Sequence, residues 1–207
     1  INRIDDPVLR EPQRRDARFV NTGMMVTLGG AVVSDGLESG EVVSGVGGQY
    51  NFVAQAHELP GARSIICIRA TRGAAKALRS NIVPHYGHTT IPRHLRDVVV
   101  TEYGAAELPG RSDEEIIQAL LGIADSRFQP ELLQAARHAG KIDPDWEIPD
   151  AQRHNLPERI AGALGPWRKR GYFPAFPLGT DFTPAEVALG GSLKDIAPSE
   201  LGARVVR

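Results

Sequence analysis

The chain has 207 residues (22.4 kDa), 42% hydrophobic and 24% charged, enough to bury a substantial core as one large domain or as a domain with an appendage. Its 24 basic and 25 acidic side chains leave a net charge of -1, which excludes bulk electrostatic attraction to nucleic acid or membrane and leaves recognition to local sites. The single cysteine, Cys67, excludes an internal disulfide and fits a reducing cytoplasm, and no apolar run approaches the ~20 residues of a membrane-spanning helix.

Residues 1–18 are charge-rich, with Pro7 and Pro12 and no sustained period, and read as a connector or surface arm. The chain opens at Ile1, and a neighbouring segment is expected upstream. From Phe19 the pattern turns strand-like: residues 24–28 and 31–33 flank Gly29-Gly30, and Asp35-Gly36 and an acidic loop lead to a strand at Val42-Val43. A glycine-dense turn follows. After it Phe52, Val53, Ala56 and Leu59 fall at helical spacing up to Pro60-Gly61. Residues 64–68 are nearly all apolar, as expected of an interior strand covered on both faces.

Residues 98–101 form a β-branched strand that stops at Glu102-Tyr103-Gly104. Ser112-Asp113-Glu114-Glu115 then reads as a capping box for a helix whose apolar face is Ile116, Ile117, Leu120, Leu121 and Ala124. A second helix is predicted from Glu131 to Ala139 with Gly140 at its end, a third after Asn155 to about Leu164, and a fourth from Pro184. Residues 171–179 are too rich in proline and glycine for a regular element, and their aromatics are expected to pack a crossing segment onto the body. The last residues read as a surface tail. Alternating strands and helices predict an α/β domain over residues 19–140, an open mixed or parallel sheet flanked by helices, followed by a helical and irregular extension over 141–207.

Several residues can carry chemistry. In the turn Ser44-Gly45-Val46-Gly47-Gly48-Gln49, three glycines in four residues permit φ > 0 and leave no Cβ between main chain and ligand, which suits either a site or a tight corner. Glu102 is either a strand-end carboxylate satisfied by local donors or part of a site, since ligands gather outside the carboxyl ends of strands in open α/β sheets. His85, His88 and His94 lack ligand spacing for a metal, and Cys67 reads as a core residue. Arg69, Arg72, Arg93 and Arg96 either form a basic patch for an anionic ligand or are solvated charges.

Asn21-Thr22-Gly23-Met24, the glycine turn through Tyr50-Asn51-Phe52, residues 99–110 (Val99-Val100-Thr101-Glu102-Tyr103-Gly104 and on to Pro109-Gly110) and Ile123-Ala124-Asp125-Ser126-Arg127-Phe128 occur in one order. In that order they resemble the C-terminal domain of the acetyl-CoA hydrolase/transferase family, within the class I CoA-transferases. The resemblance departs at Asn51, where Asp precedes Phe in many members, and at Pro109, where Arg is usual.

It implies a fold of the NagB/RpiA/CoA-transferase-like class, a second α/β half upstream, and an active site between the halves. Coenzyme A is then a substrate, with no covalently bound cofactor and no metal. The partners implied are acyl-CoA, short carboxylic acids and the upstream half, with neither nucleic acid nor membrane; a homo-oligomer is expected. A glutamate in a motif absent from this chain is the nucleophile. By the same matching Glu102 is a supporting catalytic residue, Gly48 approaches the thioester, and Asn21, Met24, Ser44, Gly47, Gly48 and Gln49 contact CoA. A non-catalytic sensor or interaction domain of the same fold, binding a CoA-like or phosphorylated ligand, is the alternative.

Overall fold

The computed structural model describes residues 15–196; the expected arm up to residue 14 and the tail beyond residue 196 lie outside the described residues. The chain divides into two compact units, one up to Arg159 and one from Ile160.

In the first unit a four-stranded sheet has the order β1-β4-β8-β9. Strands β1 (Arg18–Thr22), β4 (Arg63–Cys67) and β8 (Val98–Thr101) run parallel, and β9 (Gly104–Glu107) returns antiparallel to β8. A smaller sheet is built from β2 (Met25–Thr27), antiparallel to β3 (Val32–Val33) and parallel to β7 (Ile82–Val83). A ribbon of β5 (Thr71–Arg72) and β6 (Arg79–Ser80) completes the strands. Parallel neighbours need a crossover. Helix α1 (Gln49–Glu58) lies in the one from β1 to β4 and packs against both strands.

Strand β4 is interior, but its burial alternates: Ser64 and Ile66 are buried while Arg63, Ile65 and Cys67 are half-buried. The expected cover on both faces is therefore found on one only. On that face a single cluster joins Val53 of α1, Ile66, Val99 and the small-sheet residues Val26 and Ile82 to helices α2 (Asp113–Gly122) and α3 (Gln129–His138). The capping box of α2 is present: Glu115 N donates to Ser112 Oγ at 3.3 Å, and Ser112 N donates to Glu115 Oε2 at 2.7 Å. Gly140, at φ 62°, follows the last turn of α3.

Five strands were not predicted, β1, β9 and the two-residue strands β5, β6 and β7, and one was over-predicted. Val42 makes only an isolated bridge to Gly36 and is 72% exposed, because no neighbouring strand offers its segment a ladder.

The second unit contains most of α4 (Pro157–Lys169), which starts at the third predicted helix and runs past Pro166, and α5 (Pro184–Ile196). Helix α5 starts at Pro184 as predicted and is capped, with Glu186 N donating to Thr183 Oγ1 and Thr183 N to Glu186 Oε2. The aromatics of residues 171–179, Tyr172, Phe173 and Phe176, are exposed instead. Trp167 and Tyr172 meet edge to face, with the Arg170 guanidinium over the Trp167 ring, so these rings are partnered locally.

Between β1 and β2 the backbone passes from one sheet to the other at Gly23, where a Cβ would stand 2.9 Å from Val32 Cγ1 and 3.2 Å from Ile66 Cγ2. Both neighbours are buried branched side chains with little room to retreat. Gly23→Ala is expected to destabilise the chain by ~1–3 kcal/mol through overpacking. Urea unfolding measures it, and an unchanged midpoint would show that the sheets can part at this point.

Candidate active site

The three parallel strands end together, and their carboxyl ends form an open depression lined by Thr22, Cys67, Arg69, Val100, Thr101 and Glu102. Register makes this row: Thr22 pairs with Cys67, and Cys67 with Val100. Two further bonds carry the ladder beyond it, from Gly23 N to Cys67 O (3.0 Å) and from Ile68 N to Val100 O (2.9 Å). Glu102 stands in the two-residue turn between β8 and β9, exposed to solvent, and its Oε2 accepts from Ala70 N at 2.8 Å. Cys67 is half-buried at the edge of the depression rather than in the core.

The glycine turn adjoins this row through α1. Gln49, buried at the first position of the helix, donates from Nε2 to Thr22 O at 3.1 Å. Its Oε1 is buried without a partner among the described residues, as is Nδ2 of Asn21 next to Thr22. Buried orphan polar atoms on two adjacent elements are unfavourable unless something polar meets them. Gly48 is the N-cap of α1 with φ -91°, so the left-handed conformation considered for the turn falls on Gly47 (φ 57°) and not on Gly48. A helix start supplies backbone N–H groups and the positive end of the helix dipole, both suited to an electron-rich atom.

The structure brings Asn21, Gly48 and Gln49 to the strand ends that carry Glu102. Ser44 lies in the exposed approach to the turn, its hydroxyl donating to Gly45 O at 3.3 Å. Met24 is half-buried where the chain leaves for the small sheet, its N donating to Val33 O.

The groups that hold Glu102 in place are a part that sequence reasoning missed. Asn81, 5% exposed, donates from Nδ2 to Arg69 O (2.9 Å), and its backbone N donates to Ala70 O (2.9 Å), fixing the peptides whose next N–H meets Glu102. On the other side of the turn, Tyr103 Oη donates to Asp125 Oδ2 at 3.0 Å. Asp125 is fully buried and also receives Arg127 through its backbone N, Nε and Nη2 at 3.0, 2.8 and 2.6 Å. Burial pushes the Asp125 carboxyl up, but hydrogen bonds from Arg127 and Tyr103 outweigh it and hold the group below the usual carboxylate range. Burial and the same carboxylate push the Tyr103 phenol well above its ordinary value, so it stays a donor. The only sequence signal for this network was the Asp125-Ser126-Arg127 run.

His88 is held by a carboxylate: Nε2 lies 2.9 Å from Asp35 Oδ1, which Thr90 Oγ1 also contacts. Those two hydrogen bonds, Thr90 first, hold the Asp35 carboxyl below its ordinary pKa. The pair ties residues 34–44 to the loop at 84–90, helped by Gly87 N donating to Glu38 Oε1 (2.6 Å). Among the described residues no group of three or more His, Cys, Asp or Glu side chains is placed to hold a metal ion. The four arginines do not gather: Arg93 and Arg96 share Asp113, Arg72 donates to Asn81 Oδ1, and Arg69 lines the depression beside Glu102.

Residues 2–136 match the model of the acetyl-CoA hydrolase/transferase C-terminal domain. The chain belongs to that family. It is 36% identical over 115 residues to 4-hydroxybutyrate coenzyme A transferase of Clostridium kluyveri, covering 55% of this chain and 27% of that protein. It is 34% identical over 125 residues to butyryl-CoA:acetate CoA-transferase of Anaerostipes caccae, covering 58% and 28%. The crystal structure of RipA from Yersinia pestis shares the fold at a TM-score of 0.55 and 36% identity, over 62% of this chain and 29% of that one. The chain thus spans little more than about a quarter of the length of these relatives. The fold is the α/β fold of the CoA-transferases, with open sheets flanked by helices.

A carboxyl whose pKa is depressed by folding lends stability that is complete above the unfolded-chain value of about 3.9 and disappears as pH falls through the lower folded-state value. Asp125→Asn is therefore expected to cost ~1.5–3 kcal/mol at neutral pH, the range for hydrogen bonds to a charged group. The gap to the parent should narrow as the pH falls below about 4. Thermal unfolding across pH 7 to 3 checks this, and a gap that stays constant would mean the carboxylate charge contributes nothing.

Proposed function

We propose that this chain, with residues 19–140 as its α/β domain, is the C-terminal domain of a cytoplasmic acyl-CoA hydrolase or CoA-transferase that moves CoA between an acyl-CoA thioester and a carboxylate or water. The observation that carries the reading is Glu102 at the carboxyl edge of the sheet, oriented by Ala70 N–H and flanked by the α1 start through the Gln49–Thr22 contact. This is where an open α/β sheet places chemistry.

In this reading the nucleophile is a glutamate of the upstream half. Its carboxylate attacks the thioester carbonyl and expels CoA thiolate, leaving an acyl-glutamyl anhydride. The thiolate then attacks the glutamyl carbonyl, releasing the first carboxylate and leaving a glutamyl-CoA thioester. An acceptor carboxylate or water takes over from there. A carboxylate is a poor nucleophile, so the developing oxyanion must meet fixed donors. Gly48 at the N-cap of α1 and Gly47 before it supply backbone N–H groups with no Cβ in the way, and the unpartnered Nδ2 of Asn21 and Oε1 of Gln49 meet polar groups of the substrate. Glu102 supports the site by charge or by handling a proton. Met24 and Ser44 line the path of the CoA chain.

The surface around the turn supports a two-walled cleft: Val42, Val43, Val46, Tyr50 and Phe52 are exposed apolar residues within eleven positions of the chain, grouped as at an interaction surface. The second wall is the upstream half, and the assembled enzyme is a homo-oligomer.

Two outcomes test the reading. Glu102→Gln in the protein carrying both halves keeps shape and removes charge; it is expected to slow turnover about 10²-fold or more, the scale of a general acid–base group, with an unchanged melting temperature. A lower melting temperature with full specific activity would make the carboxylate structural. The 207-residue chain alone is expected to fold yet to show neither CoA transfer nor thioester hydrolysis with acetyl-CoA and short carboxylic acids until the upstream half is supplied. Robust activity from the chain alone would refute the split site and promote Glu102 to nucleophile, whereas inactivity of the complete protein would favour a sensor.

A further inference from the structure

A second hollow of the first unit, of about 540 Å³, lies elsewhere. It opens at the carboxyl ends of the parallel pair β2 and β7, in the small sheet, and shares no lining residue with the depression at Glu102. Its size is in the range of small-molecule sites, ~300–1,000 Å³.

The lining is apolar inside and basic at the mouth. Leu28, Ala31, Ile117 and Ala136 supply the inner wall, contributed by the β2–β3 turn, α2 and α3. His85, Arg93, His138 and Lys141 stand around it with one carboxylate, Asp113. That carboxylate is already engaged by two guanidiniums, Arg93 at 3.4 Å and Arg96 at 3.3 Å. The neighbouring Glu114 does not line the hollow; it accepts from Gln118 Nε2 and from Asp143 N. Arg93 and Lys141 thus stand at the mouth with one acid, which Arg96 also neutralises from outside the lining, before the two imidazoles are counted.

We propose that this hollow is a second small-molecule site, separate from the acyl-transfer site, for an organic acid with an apolar body and a single carboxylate. The hydrocarbon would displace water from the methyl-lined interior, while the carboxylate would remain at the exposed mouth, where its partial hydration limits the cost of pairing with Lys141 and Arg93. A neutral ligand of the same shape would lose the charge pairing, and a polyanion would have to bring charge into the apolar interior. One carboxylate on an apolar body is the chemistry that satisfies both parts.

The test is a methyl NMR titration of the 207-residue chain with 4-phenylbutyrate, and with 4-phenylbutyramide as the uncharged control. Saturable shifts are expected at Leu28, Ile117 and Ala136, with the amide at least about tenfold weaker, the factor that 1.4 kcal/mol sets. Lys141→Met, an exposed position, should weaken the acid and leave the amide unchanged; Ala135→Trp should block both by filling the hollow. Shifts centred on Ile68 and Val100 instead, equal binding of acid and amide, or full binding by a folded Ala135→Trp chain would each overturn the proposal. Melting temperatures of both variants establish that they are folded, and Ala139→Trp replaces Ala135→Trp if that variant is not.

Discussion

One buried carboxylate fixes how the main sheet is assembled. Asp97, just before β8, accepts Ser64 N at 2.6 Å and Arg63 Nε at 2.7 Å, and its own carbonyl accepts Leu108 N beyond β9. It therefore joins the start of β4, the start of β8 and the end of β9. A slip of one residue in a strand turns every side chain to the opposite face. For β4 that would put Arg63 and Ile65 inward in place of Ser64 and Ile66, and would break the Thr22–Cys67–Val100 row on which the candidate site stands. Hydrogen bonds to a charged group are roughly twice as strong as neutral ones, so a single side chain can hold this register.

What the sequence showed follows from how local each signal is. The helices of the first unit were legible because their determinants lie within a few residues: Ser112 with Glu115, the apolar face of α2, Gly140 after α3. Strands β1 and β9 were not, since Arg18-Phe-Val-Asn-Thr22 is mostly polar and Gly104-Ala-Ala-Glu107 mostly small, and they become strands only through partners 45 and three to nine residues away. Val42-Val43 illustrates the reverse case: β-branched residues without a neighbouring ladder remain exposed. The aromatics of residues 171–179 misled for a related reason, because hydrophobicity predicts that a ring seeks contact and not which contact it finds.

The candidate site divides in the same way. Glu102 was legible from its place after a β-branched strand, and the glycine turn from its composition. That the left-handed conformation belongs to Gly47, and that Gln49 rather than Ser44 reaches the strand ends, are consequences of where α1 begins. The partners of the Glu102 turn come from three separate stretches, residues 69–70, 81 and 125–127, and no spacing rule joins them before the chain is folded.

Asn81 links this site to the small sheet. Its backbone N and its Nδ2 hold the peptides of residues 69–70, its Oδ1 accepts from Arg72, and its carbonyl accepts Val26 N of β2. A buried amide bonded on every side resists rotation, since any other orientation leaves polar atoms unpaired in the interior. Glu102 itself is exposed, and solvent would let a free carboxylate wander among rotamers. Its orientation is therefore borrowed from backbone, through Ala70 N–H, whose peptide is held by Asn81, the residue whose carbonyl also accepts Val26 N of β2. The two sheets meet at Gly23 by steric contact and at Asn81 by hydrogen bonds, so a displacement of the small sheet is transmitted to the one N–H that orients the exposed carboxylate.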